Sequence, residues 1–147
     1  MNGWLNHLYL SANSSFNFKT LIISKKTDYT KKINFEISKE FLPINAKEAT
    51  ETLRQIHQLA TAGRKNCWPI PPESGLAYAL ATKDNNKNEQ DLFKKKWEGD
   101  LYMKGERETL TMELCFGKKC KASTFLDLES FNDVLMSLYE PLLKNTN

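Results

Sequence analysis

The chain predicts a mixed α+β domain, a small sheet flanked by helices. Two observations carry this. Runs with a two-residue apolar period lie at 33–37 and 110–116, and stripes spaced three and four residues apart run through 46–63 and 128–142. In order along the chain they give helix, two strands, three helices, strand, helix, an α+β or mixed α/β pattern. The 147 residues amount to one domain, 1–147, and 40% hydrophobic with 27% charged residues is ordinary for a soluble globular protein. No run approaches the roughly 18–20 apolar residues of a membrane span. The start, Met1 to Leu10, lacks the basic and long apolar regions of a signal peptide, so the expected location is cytoplasmic and no membrane is expected as partner.

Residues 3–12 read as a short helix with Trp4, Leu5, Leu8 and Tyr9 near one face, ended by Asn13-Ser-Ser15. Leu21-Ile-Ile23 has strand length, and Ile33, Phe35 and Ile37 alternate with Asn34 and Glu36. With Thr27–Thr30 between them, the simplest arrangement is an antiparallel hairpin over 19–38. Asn45 is a good N-cap with Glu48 three residues on, and Ala49, Leu53, Ile56, Ala60 and Gly63 form one apolar stripe, read as core. Gly63 is also a candidate for the residue after the helix. Cys67–Pro72 contains three prolines and reads as an extended connector.

A second helix is expected from Glu73 or Ser74 to Ala81 and a third from Asn88 to Trp97, joined by the polar loop Lys83–Asn88. Leu110, Met112, Leu114 and Phe116 alternate with Thr111, Glu113 and Cys115 and read as a half-buried strand, turned by Gly117-Lys-Lys119. The last helix carries Leu128, Phe131, Leu135, Leu138 and Leu142, capped by Asp127 or Ser130, with Pro141 kinking or finishing it. Three strands make a small sheet for this length, so an edge is open to completion by other polypeptide.

Twenty-one basic against eighteen acidic residues give +3, too little to imply nucleic-acid binding by itself. Arg54, Arg64 and Arg107 are the only arginines, whereas base and phosphate recognition favours arginine's fork. Cys67, Cys115 and Cys120 form no C-x-x-C pair and read as reduced thiols, with no metal site. There is no P-loop, since Met112 stands five before Gly117 and Lys119 follows Lys118. The sharpest enzymatic candidate is a metal-dependent nuclease of the PD-(D/E)xK type. Such enzymes place an acidic residue and a lysine two apart on a strand so that both face one Mg²⁺. Here the hairpin offers Asp28 and Glu36, but Ser38 stands two after Glu36 and the lysine comes at Lys39, on the opposite face of a regular strand. The layout resembles that of such nucleases with the constellation broken. Lys94-Lys-Lys96 beside Trp97 has the composition of a single-strand clamp, although such a run is more often a solvated helix face over a core tryptophan. Trp68, among prolines, is an interface anchor or a core plug.

Several stretches resemble the C-terminal domain of RecC, the gamma subunit of exodeoxyribonuclease V: Trp4-Leu-x-His7-Leu8, Phe41-Leu-Pro-Ile-x-Ala46-x-Glu-Ala49, Pro72-x-Ser74-Gly75-x-Ala77-Tyr78-Ala79, the pair Trp97-Glu98-Gly99 and Gly105-Glu106-Arg107, and Leu138-Tyr139-x-Pro141-Leu142-Leu143. They follow the family's order from about residue 3 to 143. The resemblance implies a nuclease-like fold without catalytic residues, which agrees with the broken layout above. It also implies a role within a helicase–nuclease that processes double-strand DNA ends for recombinational repair. A RecC-type subunit is several times longer than this chain, so a fragment or a shortened product is expected.

The resulting expectation is a non-catalytic scaffold and DNA-path domain with no cofactor. Its partners would be RecB-type and RecD-type subunits and DNA, as duplex end and single strands. Lys94, Lys95, Lys96 and Arg107 are the expected DNA contacts, and Trp68, Pro71, Pro72 and Trp97 the expected partner interface. The rivals are a small Mg²⁺-dependent nuclease using Asp28 and Glu36, and a stand-alone single-strand binder using Lys94–Lys96 with Trp97.

Overall fold

The computed structural model describes residues 2–27, 33–65, 70–84 and 88–147. Among them are α1 (Asn2–Ala12), β1 (Thr20–Thr27), β2 (Ile33–Phe41), α2 (Ala46–Lys65), α3 (Pro72–Lys83), α4 (Glu89–Glu98), a 3₁₀ turn (Glu106–Glu108), α5 (Leu110–Phe116), α6 (Ser123–Leu126) and α7 (Phe131–Lys144). The result is mixed α+β with a two-stranded sheet. The chain divides into two compact units, Met1–Leu59 with Pro141–Asn147, and Ala60–Glu140.

In the first unit β1 and β2 pair antiparallel, as the alternation at 33–37 requires. Ile22 stands opposite Lys39 and Ile23 opposite Ile37, so Ser38 is an extra residue, a β-bulge whose hydroxyl donates to the Ile22 carbonyl at 3.1 Å. The bulge corrects one expectation. Directly paired residues share a face, and Ile22 and Ser24 are two apart; their partners Lys39 and Glu36 therefore lie on the same face. A regular strand would have separated them. Asp28 lies outside the described residues.

That face meets α1. Trp4 and His7 are buried, with Phe41 5.6 Å from each ring. The Nε2 proton of His7 goes to the Leu42 carbonyl at 3.0 Å, which leaves Nδ1 to accept from the Thr20 hydroxyl at 2.8 Å. Beyond β2 the chain's last residues run alongside: Leu42 N–H donates to Asn145, Asn147 N–H donates to Glu40, and Phe41 bridges Thr146.

The α2 cap forms as expected. Asn45 Oδ1 accepts the Glu48 N–H at 2.9 Å, and its amide donates to the Glu48 carboxylate at 3.3 Å. The predicted core stripe is corrected in extent: Ala49 and Thr52 are buried, Leu53 and Ile56 half-buried, and Ala60 exposed. Gly63 lies inside the helix rather than after it.

The second unit is built on aromatic rings meeting edge to face. Phe93 lies 5.2 Å from Phe131 and 5.9 Å from Phe125, and Trp97 lies 4.8 Å from Phe125. Each such pair adds about 0.5–1.5 kcal/mol beyond area burial. The strand predicted over 110–116 is instead α5. In a strand all four of its apolar residues would share a face. In the helix Met112 and Phe116, four apart, are half-buried, while Leu110 and Leu114 are 73% and 78% exposed. A two-residue period over seven residues contains both patterns, and Leu, Met and Glu favour the helix. Leu128 precedes α7 rather than riding on it, and α7 continues through Pro141 to Lys144.

Burial holds the His7 pKa below its ordinary value, with the Leu42 hydrogen bond opposing in part. The folded state therefore binds this proton more weakly than the unfolded chain, and stability falls as pH drops below about 6.5. Urea midpoints are expected to decline between about pH 7 and pH 5.5, and His7→Gln, which keeps a donor and an acceptor but cannot titrate, is expected to flatten that decline.

Candidate nucleic-acid interface

Helix α4 sets the site. Asn88 caps it, its side chain accepting from the Gln90 and Asp91 N–H groups. The helical period then sends Phe93 and Trp97 into the core and puts Gln90, Lys94 and Glu98 on a neighbouring face. Successive residues turn by about 100°, so Lys94 and Lys96 leave the helix on nearly opposite sides. The lysine run is thereby split. All three are exposed, and Lys95 pairs with Asp100 at 3.7 Å.

Trp97 is completely buried, and its indole N–H donates to the Cys120 carbonyl at 2.9 Å. This corrects both roles expected of it, stacking platform and partner contact, because no face of the ring is free. Pro71 is also buried, whereas Pro72 is exposed at the first position of α3. Trp68 lies outside the described residues.

After Trp97 the chain doubles back. Gly99 has φ +78° and bridges Lys104, and a Cβ on Gly105 would strike the Trp97 carbonyl, so both positions need glycine. Asp100 closes the turn by accepting the Tyr102 and Met103 N–H groups, both at 2.9 Å. Those bonds, with help from Lys95, hold its carboxyl below its ordinary pKa. The turn delivers Glu106 to the start of α3. One carboxylate oxygen accepts from Glu73 N–H at 2.9 Å; the other accepts from Ser74 N–H at 2.7 Å and the Ser74 hydroxyl at 2.6 Å. Tyr139 donates to the Pro72 carbonyl at 3.1 Å, and burial, reinforced by the Glu106 charge, pushes its pKa up to about 12.

Arg107 follows Glu106 directly. It lines an open hollow of about 450 Å³ with Gln90, Lys94, Glu98, Lys121, Ala122, Ser123, Leu126 and Asp127. Glu98 is already engaged, accepting the Ala122 N–H at 3.0 Å. Among the described residues no ion pair engages Lys94, Arg107 or Lys121. The structure thus gathers Lys94 and Arg107 from the expected DNA contacts, leaves Lys95 and Lys96 off the lining, and adds Lys121. Lys121 gave no signal in the sequence, since its approach depends on the turn after α5. The Gln90/Lys94/Glu98 spacing of four was readable once α4 was placed.

Cys115 and Cys120 are free thiols, and no group of His, Cys, Asp and Glu among the described residues could hold a metal ion. No helix among them is long and apolar enough to cross a membrane.

These features define a small mixed α+β domain with a cationic hollow on its second unit. Residues 1–83, more than half of the chain, match the family model of the RecC C-terminal domain, and the chain belongs to that family. The family points to a subunit of the RecBCD complex, exodeoxyribonuclease V, in DNA recombination and repair. No curated protein matches the chain. The hollow, at residues 90–127, lies beyond the matched span.

Glu106→Ala strips the acceptor from two backbone donors and a buried hydroxyl. It is expected to destabilise the chain by about 2–3 kcal/mol, read as a lowered urea midpoint. Glu106→Gln keeps one acceptor oxygen and is expected to cost less.

Proposed function

We propose that the chain acts as a non-catalytic scaffold and DNA-path domain of a RecBCD-type helicase–nuclease, working on double-strand DNA ends in recombinational repair. Its proposed partners are RecB-type and RecD-type subunits. The observation that carries this reading is the outer face of the hairpin. Leu21, Ile23, Phe35 and Ile37 share that face and are 41%, 63%, 74% and 59% exposed. A contiguous apolar patch of this kind marks an interaction surface more often than a free one. Trp68 and Pro72 are proposed as a separate partner contact, and Lys94 and Arg107, with lesser help from Lys95 and Lys96, to meet DNA.

The nuclease-like ancestry belongs to the same proposal. In support, Glu36 is ion-paired with Lys26 at 3.1 Å, an arrangement suited to a structural carboxylate. The rival nuclease reading draws on the bulge at Ser38, which gives Glu36 and Lys39 a common face. It requires Mg²⁺-dependent DNA degradation that Glu36→Gln abolishes.

The test is capture of partners by the tagged chain from its native extract. Wild type is expected to recover RecB-type and RecD-type subunits. Phe35→Asp with Ile37→Asp is expected to cut recovery at least about tenfold with an unchanged circular dichroism spectrum, the scale of losing central apolar anchors. Unchanged capture would remove the hairpin from the interface, and a wild-type chain that captures neither subunit would sink the scaffold reading.

A further inference from the structure

We propose that a second copy of the chain docks on the outer face of the hairpin, so that two chains pair about a two-fold axis with their strands running roughly antiparallel. The inference deepens the scaffold reading and rests on it in one respect: the face is the one given there to the partner subunits, which would displace the second copy.

The pairing register sets which residues share this face. Leu21 stands opposite Glu40, Ile23 opposite Ile37 and Lys25 opposite Phe35, and positions 21, 23 and 25 alternate onto one side. The centre of the face is therefore apolar and its two ends carry opposite charges. Glu40 closes one end, and Lys25 closes the other about 13 Å away along the strands. Leu21, Ile23, Ile37 and Phe35 between them are all exposed. Lys25 is exposed too, and no ion pair engages it among the described residues. Glu40 meets Lys19 at 2.9 Å through Oε1, one of its two carboxylate oxygens. The other side of the sheet is differently disposed. There Lys26 is already paired with Glu36 at 3.1 Å, and Thr20, Ile22 and Phe41 turn toward α1.

A face of this kind is its own complement. A half-turn about an axis lying over the Ile23–Ile37 pair, across the strands, sets apolar residues on apolar residues. It brings the Lys25 end of each copy over the Glu40 end of the other. Two sheets pack face to face about 10 Å apart, a gap that large apolar side chains from both sides fill. An unrelated partner would need only the apolar centre, and gives no reason for opposite charges at the two ends. Two-fold symmetry gives one, because each contact from one copy to the other must occur twice.

The test is sedimentation velocity of the 147-residue chain at concentrations from about 1 to about 300 µM, since a patch of this size makes a weak interface. Wild type is expected to move from one chain mass to two as concentration rises. Phe35→Asp with Ile37→Asp is expected to stay at one. Lys25→Glu and Glu40→Lys are each expected to raise the dissociation constant at least about tenfold, because each sets like charges together at both ends. Mixed in equal amounts, these two variants are expected to pair as tightly as wild type, since one carries acid at both ends and the other base. Lys39→Glu, on the other side of the sheet, is expected to pair as wild type. The dimer is overturned by a wild type that stays at one chain mass, by a Phe35→Asp, Ile37→Asp chain that still pairs, or by mixed charge variants that pair no better than either alone. Capture of the RecB-type and RecD-type subunits reads separately. A monomeric wild type that captures them loses the dimer and keeps the scaffold, and a dimer that captures neither loses the scaffold and keeps the pairing.

Discussion

Helix α3 begins on two prolines, and the second unit is organised around what that leaves undone. Pro72 fits the first helical position because it has no N–H to satisfy, but Pro71 before it has no capping side chain. The donors of Glu73 and Ser74 therefore need an acceptor from elsewhere, since each buried unpaired donor costs about 1–3 kcal/mol. Glu106 supplies it across more than thirty residues, and a carboxylate at a helix N-terminus also complements the helix dipole. Meeting that one demand constrains the approach of the chain from α4 to Glu106. The chain must reverse tightly after Trp97, which takes Gly99 at positive φ and Gly105 hard against the Trp97 carbonyl.

The stretches that resembled the RecC family so acquire a physical meaning. Pro72-x-Ser74-Gly75 and Gly105-Glu106-Arg107 are the two halves of one cap, and Trp97-Glu98-Gly99 is the pivot that lets them meet. Of these residues Glu98 and Arg107 line the hollow, and Glu98 is held by the Ala122 N–H. The position of Arg107 follows from the cap: with Glu106 anchored, the next side chain has a defined exit. A structural carboxylate and a candidate DNA contact are thus consecutive residues with opposite duties.

The first unit shows a different economy. One end of a hairpin face, at Thr20, Ile22 and Phe41, is covered by α1, with His7 satisfied at both ring nitrogens and Trp4 and Phe41 packed beside it. The other face presents four large apolar residues to solvent. The bulge at Ser38 decides which side chains go where. One extra residue turns Phe41 toward α1 and brings Glu36 and Lys39 onto the same side of the sheet, where both stay exposed. The last residues of the chain lie against the end of β2.

The sequence by itself determined the elements whose signals are local. The hairpin followed from strict alternation at 33–37, α2 from Asn45 and Glu48, α4 from Asn88, and the family from short motifs in order. Those signals are complete within a few residues, so no distant contact was needed to read them. Tertiary structure decided the rest. Residues 110–116 carry a pattern that serves a strand and a short helix equally, and the half-burial of Met112 and Phe116 chose the helix. A bulge is invisible in composition, yet it reversed the relation of Glu36 to Lys39. Trp97 was open to two readings, a stacking platform or a core tryptophan beneath a solvated lysine face, and burial beside Phe125 and Phe116 decides for the core. The hollow joins residues 27 positions apart from Lys94 to Lys121, and only chain reversals at Gly99 and after α5 could bring such charges to one place. Local propensity sets where a helix starts, and long-range closure, which depends on every intervening turn, sets what its side chains meet.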